Sequence, residues 1–338
     1  MGGVISLAVR ADLSNNVGKI LRRQATDWDA KGACPRFALK QPKIVRSSYR
    51  ADEFVNYDVK CQLGCQVDVR EHTMGKKLTN APVYYTVAQV QFNPVLDLDG
   101  YLPAIQSKMR ELLFPDYKKE VFQRLVLPFG SAEQGQMVAP TVTPQSRYLF
   151  GDIEGRSLFL LETNTLSFQT TRYNTFETFS ETLLKGLGLV HNALRLDFVE
   201  RIGLRYLDAV QPSKTDETLR NFLATEVLGL ALRGEGQLQH SVSETSIVTT
   251  AGRLVSRVLI RDGHVGLPTE LSGAAPAIDP RFTQQGGRLH AIVDTDASFI
   301  QREAFDLTKV GERLTALHDD IKKSFRATVT EYAWASWA

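Results

Sequence analysis

Cysteine is nearly missing from this chain, with three in 338 residues. That is too few for a disulfide framework, and the odd count leaves one thiol unpaired in any oxidised form. Long apolar runs are missing too. None approaches the roughly 18–20 residues that span a bilayer, and no compact apolar stretch near the N-terminus precedes a small-residue cleavage site. Charge of one sign is also lacking, since 40 Lys and Arg face 38 Asp and Glu for a net +2. A histone-like basic binder and an acidic mimic of nucleic acid are thereby excluded, and any polyanion site has to be a local patch. No phosphate-binding loop, dinucleotide fingerprint, H-E-x-x-H pair, G-x-S-x-G elbow or EF-hand loop occurs, so no cofactor is expected. The expectation is a cytoplasmic protein with no membrane contact.

What is present suffices for a sizeable core: 43% of the residues are hydrophobic and 23% charged, and this length corresponds to about two domains. Composition changes along the chain. Cys34, Cys61 and Cys65 all fall in residues 1–73, which carry 12 Lys and Arg against 8 Asp and Glu, whereas the remaining 265 residues carry 28 against 30. Cys61-x3-Cys65 with His72 and Cys34 has the donors of a three-Cys, one-His zinc set, but the second close pair is missing and scattered reduced thiols are the competing reading. The myristoylation pattern fits both Met1–Ser6 and Met74–Thr79, which shows how weakly it selects. Met74 is followed by a short basic leader and a good strand. Residues 1–73 therefore read as an N-terminal extension, either a small accessory segment or sequence translated from an upstream start, and 74–338 as the body, with two sublobes conceivable about 211–236.

Within the body, Tyr84–Phe92 alternates as a strand with Ala88, Val90 and Phe92 on one face and Gln89 and Gln91 on the other. A helix follows, with Asp99 as the expected N-cap and Leu102, Ile105, Met109 and Leu112 at helical spacing. Strand-like runs come next at Val121–Phe129, Arg147–Asp152, Ser157–Glu162 and Thr165–Tyr173. Asn174 and Glu177 resemble a capping box before the stripe Phe176, Phe179, Leu183, Leu187, Val190, Leu194. Gly186 and Gly188 weaken that helix by up to roughly 1 kcal/mol each, so packing has to hold it. Then come a strand over Phe198–Val210, a helix over Thr218–Leu232, strands over Gln237–Thr250, Arg253–Arg261 and Arg288–Asp296, and a helix after Asp306. This order predicts an α+β fold of largely antiparallel sheets with three to four packed helices.

Four stretches carry a resemblance: Leu78–Val83 leading to Gln89–Pro94, Arg201–Tyr206, Val293–Asp296, and Leu317–Asp320 running to Phe325 and Val329–Glu331. In these, the body resembles a sporadically distributed family of conserved prokaryotic proteins with no established function, whose members typically begin where Met74 stands. The resemblance implies no activity and no catalytic residue. Patchy distribution of this kind is associated with mobile elements and defence islands.

Two constellations carry candidate chemistry. Arg201 and Arg205 flank Gly203 on one side of a strand while Ile202, Leu204 and Tyr206 point to the other, and Arg253, Arg257 and Arg261 repeat the arrangement. Were the two strands neighbours, five guanidiniums would line one face, suited to bidentate phosphate or carboxylate contact. Asp294 and Asp296, two apart on a strand with His290 on the same side, have the donors to hold Mg(II) and orient a phosphoryl substrate. The competing structural reading pairs these Arg and Asp residues in one ionic network. The expected function is a non-enzymatic binding or assembly protein with an Arg-lined face for an anionic partner such as nucleic acid, or a protein partner; the alternative is a metal-dependent phosphodiesterase or nuclease using the paired Asp residues. The aromatic tail Tyr332, Trp334, Trp337 reads as a C-terminal anchor docked on the body, with stacking surfaces or a partner contact as the alternative.

Overall fold

The computed structural model describes residues 3–8, 56–61, 79–126, 141–284 and 287–338. Two compact units divide the chain, Met1–Gly75 and Lys76–Ala338. In the first, strands β1 (Gly3–Ala8) and β2 (Asn56–Cys61) pair antiparallel. Cys34, Cys65 and His72, three of the four residues in the zinc reading, lie outside the described residues.

The second unit is built on one sheet of nine strands: β3 (Val83–Phe92), β4 (Asp116–Val126), β5 (Thr141–Gly151), β6 (Ser157–Glu162), β7 (Thr165–Thr170), β8 (Phe198–Val210), β9 (His240–Val248), β10 (Arg253–Arg261) and β11 (His290–Ala304). Their order is β4-β5-β6-β7-β3-β8-β11-β10-β9, and every neighbouring pair is antiparallel. With its helices the unit is α+β. Among the described residues three helices exceed two turns: α1 (Leu102–Glu111), α2 (Phe176–Leu194) and α6 (Leu307–Thr328). Shorter ones are α3 (Leu219–Phe222), α4 (Thr225–Leu228), α5 (Pro280–Thr283) and α7 (Glu331–Trp337).

β3 and β8 pair at the centre and head two similar halves. After β3 come α1 and the meander β4 to β7, whose last strand returns to β3 before α2; after β8 come α3, α4 and the meander β9 to β11, whose last strand returns to β8 before α6. The strands on both sides of residues 211–236 belong to this one sheet.

Alternation sorts the two faces. Ala88, Val90, Phe92, Ile202, Leu204, Ala297 and Phe299 turn to the helices and meet the apolar stripes of α1, α2 and α6, among them Met109, Leu183, Leu187, Leu314 and Leu317. Each of these side chains larger than alanine contributes about 1.5–3 kcal/mol by leaving water. On the same face Val210, Val258, Ile260, Ala291 and Val293 form a second cluster with Phe222, Val329 and Trp337. The other face is half covered by the long connection from β10 to β11. Its Val265, Leu267, Leu271, Ile278 and Phe282 pack on Tyr84, Tyr85, Leu207, Ala209 and Ile292.

Several local expectations shift. Asp99 opens a 3-10 turn and makes no cap; its Oδ1 instead accepts from Tyr148 Oη at 2.7 Å and Lys119 Nζ at 3.1 Å. Thr175, one residue past Asn174, caps α2 through Thr178 N. The helix expected over Thr218–Leu232 is broken, because Leu223 turns extended to bridge Val329 and Ala224 N donates to Thr328 O at 2.9 Å. Tertiary backbone pairing there overrides local propensity. β11 runs on past Asp296 to Ala304, through a register shift between Ile300 and Glu303. The aromatic tail is helix α7, and its Trp337 is buried against Phe222 and Phe325.

Candidate functional site on the open sheet face

All seven expected site residues lie on the open side of the sheet, because each occupies the strand phase opposite the buried one. The two Arg-bearing strands, β8 and β10, are not neighbours: β11, with both aspartates, lies between them. The basic and acidic constellations therefore meet.

Their meeting consumes most of the charge. Arg205 Nε donates to Asp294 Oδ1 and Arg205 Nη2 to Asp294 Oδ2, each at 2.7 Å, and Nη2 also reaches Glu270 Oε1 at 2.9 Å. Arg257 pairs with Glu244 on β9, and its Nη1 stands 3.6 Å from Asp294 Oδ2. Burial works against the Arg205 charge, but the Asp294 and Glu270 carboxylates outweigh it and hold its pKa above the ordinary value. Arg261 Nη2 is tied to His264 O at 2.9 Å. Over β8 to β10 the five guanidiniums thus share the face with the carboxylates Asp294, Asp296, Glu244 and Glu270.

Three of the five have only neutral hydrogen-bond partners: Arg261, held by the His264 backbone carbonyl, and the pair Arg201 and Arg253. Arg201 Nη1 donates to Gln89 Oε1 at 3.1 Å, and Arg253 Nε to Ser246 Oγ at 3.1 Å. The Arg201 guanidinium lies over Gly203, where a Cβ would come within 2.8 Å of Nη1. Glycine at this position makes room for the arginine. Gly203 is in register with Gln89 on one side and Ser298 on the other, and Ser298 is in register with Arg253. The two cations therefore share one row, with β8 and β10 about 10 Å apart.

Asp296 is directly opposite Arg205 in the ladder, yet Arg205 reaches diagonally to Asp294. Burial pushes the Asp296 carboxyl up, with Arg201 and Arg205 acting the other way. Asp294 already accepts at both oxygens, and among the described residues no group of three or more His, Cys, Asp or Glu is placed to hold a metal ion. His290 is buried, with Nδ1 3.0 Å from Arg288 O.

Sequence reasoning missed Glu270, Glu244 and Gln89. Glu244 is opposite Arg257 in the β9–β10 ladder, so a committed hairpin register would have found it. No sequence signal places Glu270 over Arg205. Also missed are two buried groups on the helix face. Asp208 is buried, and this burial, with Asp294 adding to it, pushes its pKa up to about 8. His318 stacks on Phe176, stands 3.2 Å from Tyr206 Oη, and is lowered by burial to about 4.

Two clefts lie elsewhere, around Glu217. One of about 680 Å³ is bordered by Lys214, Arg220 and Arg288, and one of about 390 Å³ by Arg281, Phe282 and Trp337. Glu217 accepts from Ser213 N, Lys214 N and Tyr332 Oη. These bonds, the Lys214 backbone first, hold its pKa down to about 2. Its oxygens are spent on organising the loop. No helix among the described residues is long and apolar enough to cross a membrane. No protein-family model matches the chain, and a comparison with curated proteins finds no match.

Proposed function

We propose that this chain is a cytoplasmic, non-enzymatic binding protein whose open sheet face receives an anionic group of a partner such as nucleic acid at Arg201 and Arg253. The observation that supports this reading is their pairing with neutral groups alone, in one row, while Arg205 and Arg257 are neutralised by carboxylates. A guanidinium with an uncharged partner keeps its charge for a phosphate or carboxylate. The near balance of charge on the whole face makes the contact local and weak.

Titration of the full chain with a short labelled DNA duplex at several salt concentrations tests it. Two neutralised phosphates correspond to a slope of about −2 in log K against log salt. Arg201→Ala with Arg253→Ala should abolish the binding, and Arg257→Ala should leave it nearly unchanged. No binding at low salt, or binding indifferent to the double substitution, overturns the reading.

A further inference from the structure

β9 ends the sheet, and among the described residues its one strand neighbour is β10. Seven of its nine residues are exposed, including Val242 at 56%, Ile247 at 47% and Val248 at 88%. An outer strand with a free row of backbone donors and acceptors is a template for another strand, and proteins ordinarily blunt it with charge, proline or a bulge. β4, at the opposite end, follows that rule with Asp116, Lys118, Lys119, Glu120 and Arg124. β9 does not. Its sequence His240-Ser-Val-Ser-Glu-Thr-Ser-Ile-Val248 holds a single acid and no proline, and its register with β10 is unbroken over all nine residues.

The strand is also complementary to itself. A two-fold axis perpendicular to the sheet pairs two copies antiparallel while keeping each face on its own side. Centred on Thr245, such pairing sets Val242 against Val248 of the other copy, Ser243 against Ile247, and Glu244 against Ser246. Ser246 already accepts from Arg253 Nε. The one acid of β9 therefore approaches a cation of the other copy and never its own equivalent, as it would if the axis passed through Glu244.

We propose that β9 is a homodimer interface, in which two chains pair antiparallel about Thr245 and join their nine-stranded sheets into one. This rests on the edge and not on the anionic contact; because the other copy's Glu244 comes near Arg253 in the dimer, Arg201 is the residue that reports on the anionic contact alone.

Sedimentation equilibrium of the full chain over a range of concentrations should give a mass rising to twice 37.7 kDa. Val242→Lys and Glu244→Arg, both at exposed positions, should each weaken the dimer at least tenfold, a loss of about 1.4 kcal/mol. Adding Arg253→Glu to Glu244→Arg should restore it, while Arg201→Ala should leave it unchanged. Thermal melting of each variant confirms that it is folded. A wild-type monomer at every concentration overturns the proposal, as does a dimer that Val242→Lys leaves intact. A monomer whose β9 amides resist hydrogen exchange assigns the edge to another part of the same chain, and equally overturns it.

Discussion

Arg205 and Asp294 meet across neighbouring strands in a two-point contact, Nε to Oδ1 and Nη2 to Oδ2, each 2.7 Å. Both side chains are largely buried, at 13% and 9% exposure. Removing one partner of such a pair leaves an uncompensated charge out of water, which costs about 3–5 kcal/mol. Arg257, 3.6 Å from Asp294, offsets part of this, so Arg205→Ala should fall at the lower end. The paired change Arg205→Met with Asp294→Leu should recover most of the loss, because both charges then leave together. Urea unfolding midpoints check it, and a loss below about 1 kcal/mol for Arg205→Ala would show that the pair is dispensable.

Asp208 and His318 give stability a definite dependence on pH. The folded-state pKa of Asp208 is about 8 against 3.8 for the free side chain. The folded protein thus holds a proton that the unfolded chain gives up, and stability falls by about 1.4 kcal/mol per pH unit as pH rises between those values. His318 is lowered from 6.5 to about 4. In that window the unfolded chain holds the extra proton, so stability rises with pH by the same slope. The two oppose each other between about pH 4 and 6.5, and the loss from Asp208 dominates from there up to about 8; Asp296, also raised, acts on the side of Asp208, and His290, also lowered by burial, on the side of His318. The melting temperature should be level over the first window and decline over the second. Asp208→Asn should convert this into a rise followed by a plateau. A wild-type melting temperature still climbing between pH 6.5 and 8 would contradict the assignment.

Much of the scaffold was readable because each strand or helix stripe repeats over enough residues to fix its phase. Phe198–Val210 and Ser157–Glu162 match the expected bounds, and the alternation at Arg201, Gly203 and Arg205 gave the correct face. Strand order was not readable. Nothing in the residues between Phe198 and Asp296 states that β11 lies between β8 and β10, and that insertion turns two separate constellations into one network. The diagonal choice of Arg205 for Asp294 over the directly opposed Asp296 depends on side-chain reach and on Glu270, which arrives from a connection 65 residues away. Thr218–Leu232 failed for a related reason: a backbone bridge from Leu223 to Val329 outweighs helical periodicity.

Gly186 and Gly188 look equivalent in sequence but differ in surroundings. A Cβ on Gly186 would stand 2.4 Å from Phe159 Cε1, whereas one on Gly188 would meet nothing closer than Leu307 Cδ2 at 3.5 Å. Phe159 is fully buried among Phe114 and Phe168, so it has nowhere to move. Gly186→Ala should destabilise by about 1–3 kcal/mol through overpacking. Gly188→Ala should stabilise by about 0.5–1 kcal/mol through helix propensity. Chemical denaturation of the two variants side by side decides this, and equal effects of the same sign would refute it.

The C-terminal helix should be integral to the body. Trp337 packs its ring on Phe222 and Phe325, its carbonyl accepts from Asn80 N at 3.0 Å, and Tyr332 Oη donates to Glu217 Oε1 at 2.7 Å. Arg326 meanwhile stacks on Trp334 and pairs with Glu331. Trp337→Ala empties a site closed by the second apolar cluster, and should cost about 3–5 kcal/mol. Tyr332→Phe removes one donor to a carboxylate that keeps its backbone partners, so its cost should be smaller. Deleting residues 332–338 should exceed either, because it exposes Phe222 and frees Glu217 and Asn80 at once. A melting temperature unchanged by the deletion would mean that the tail does not dock.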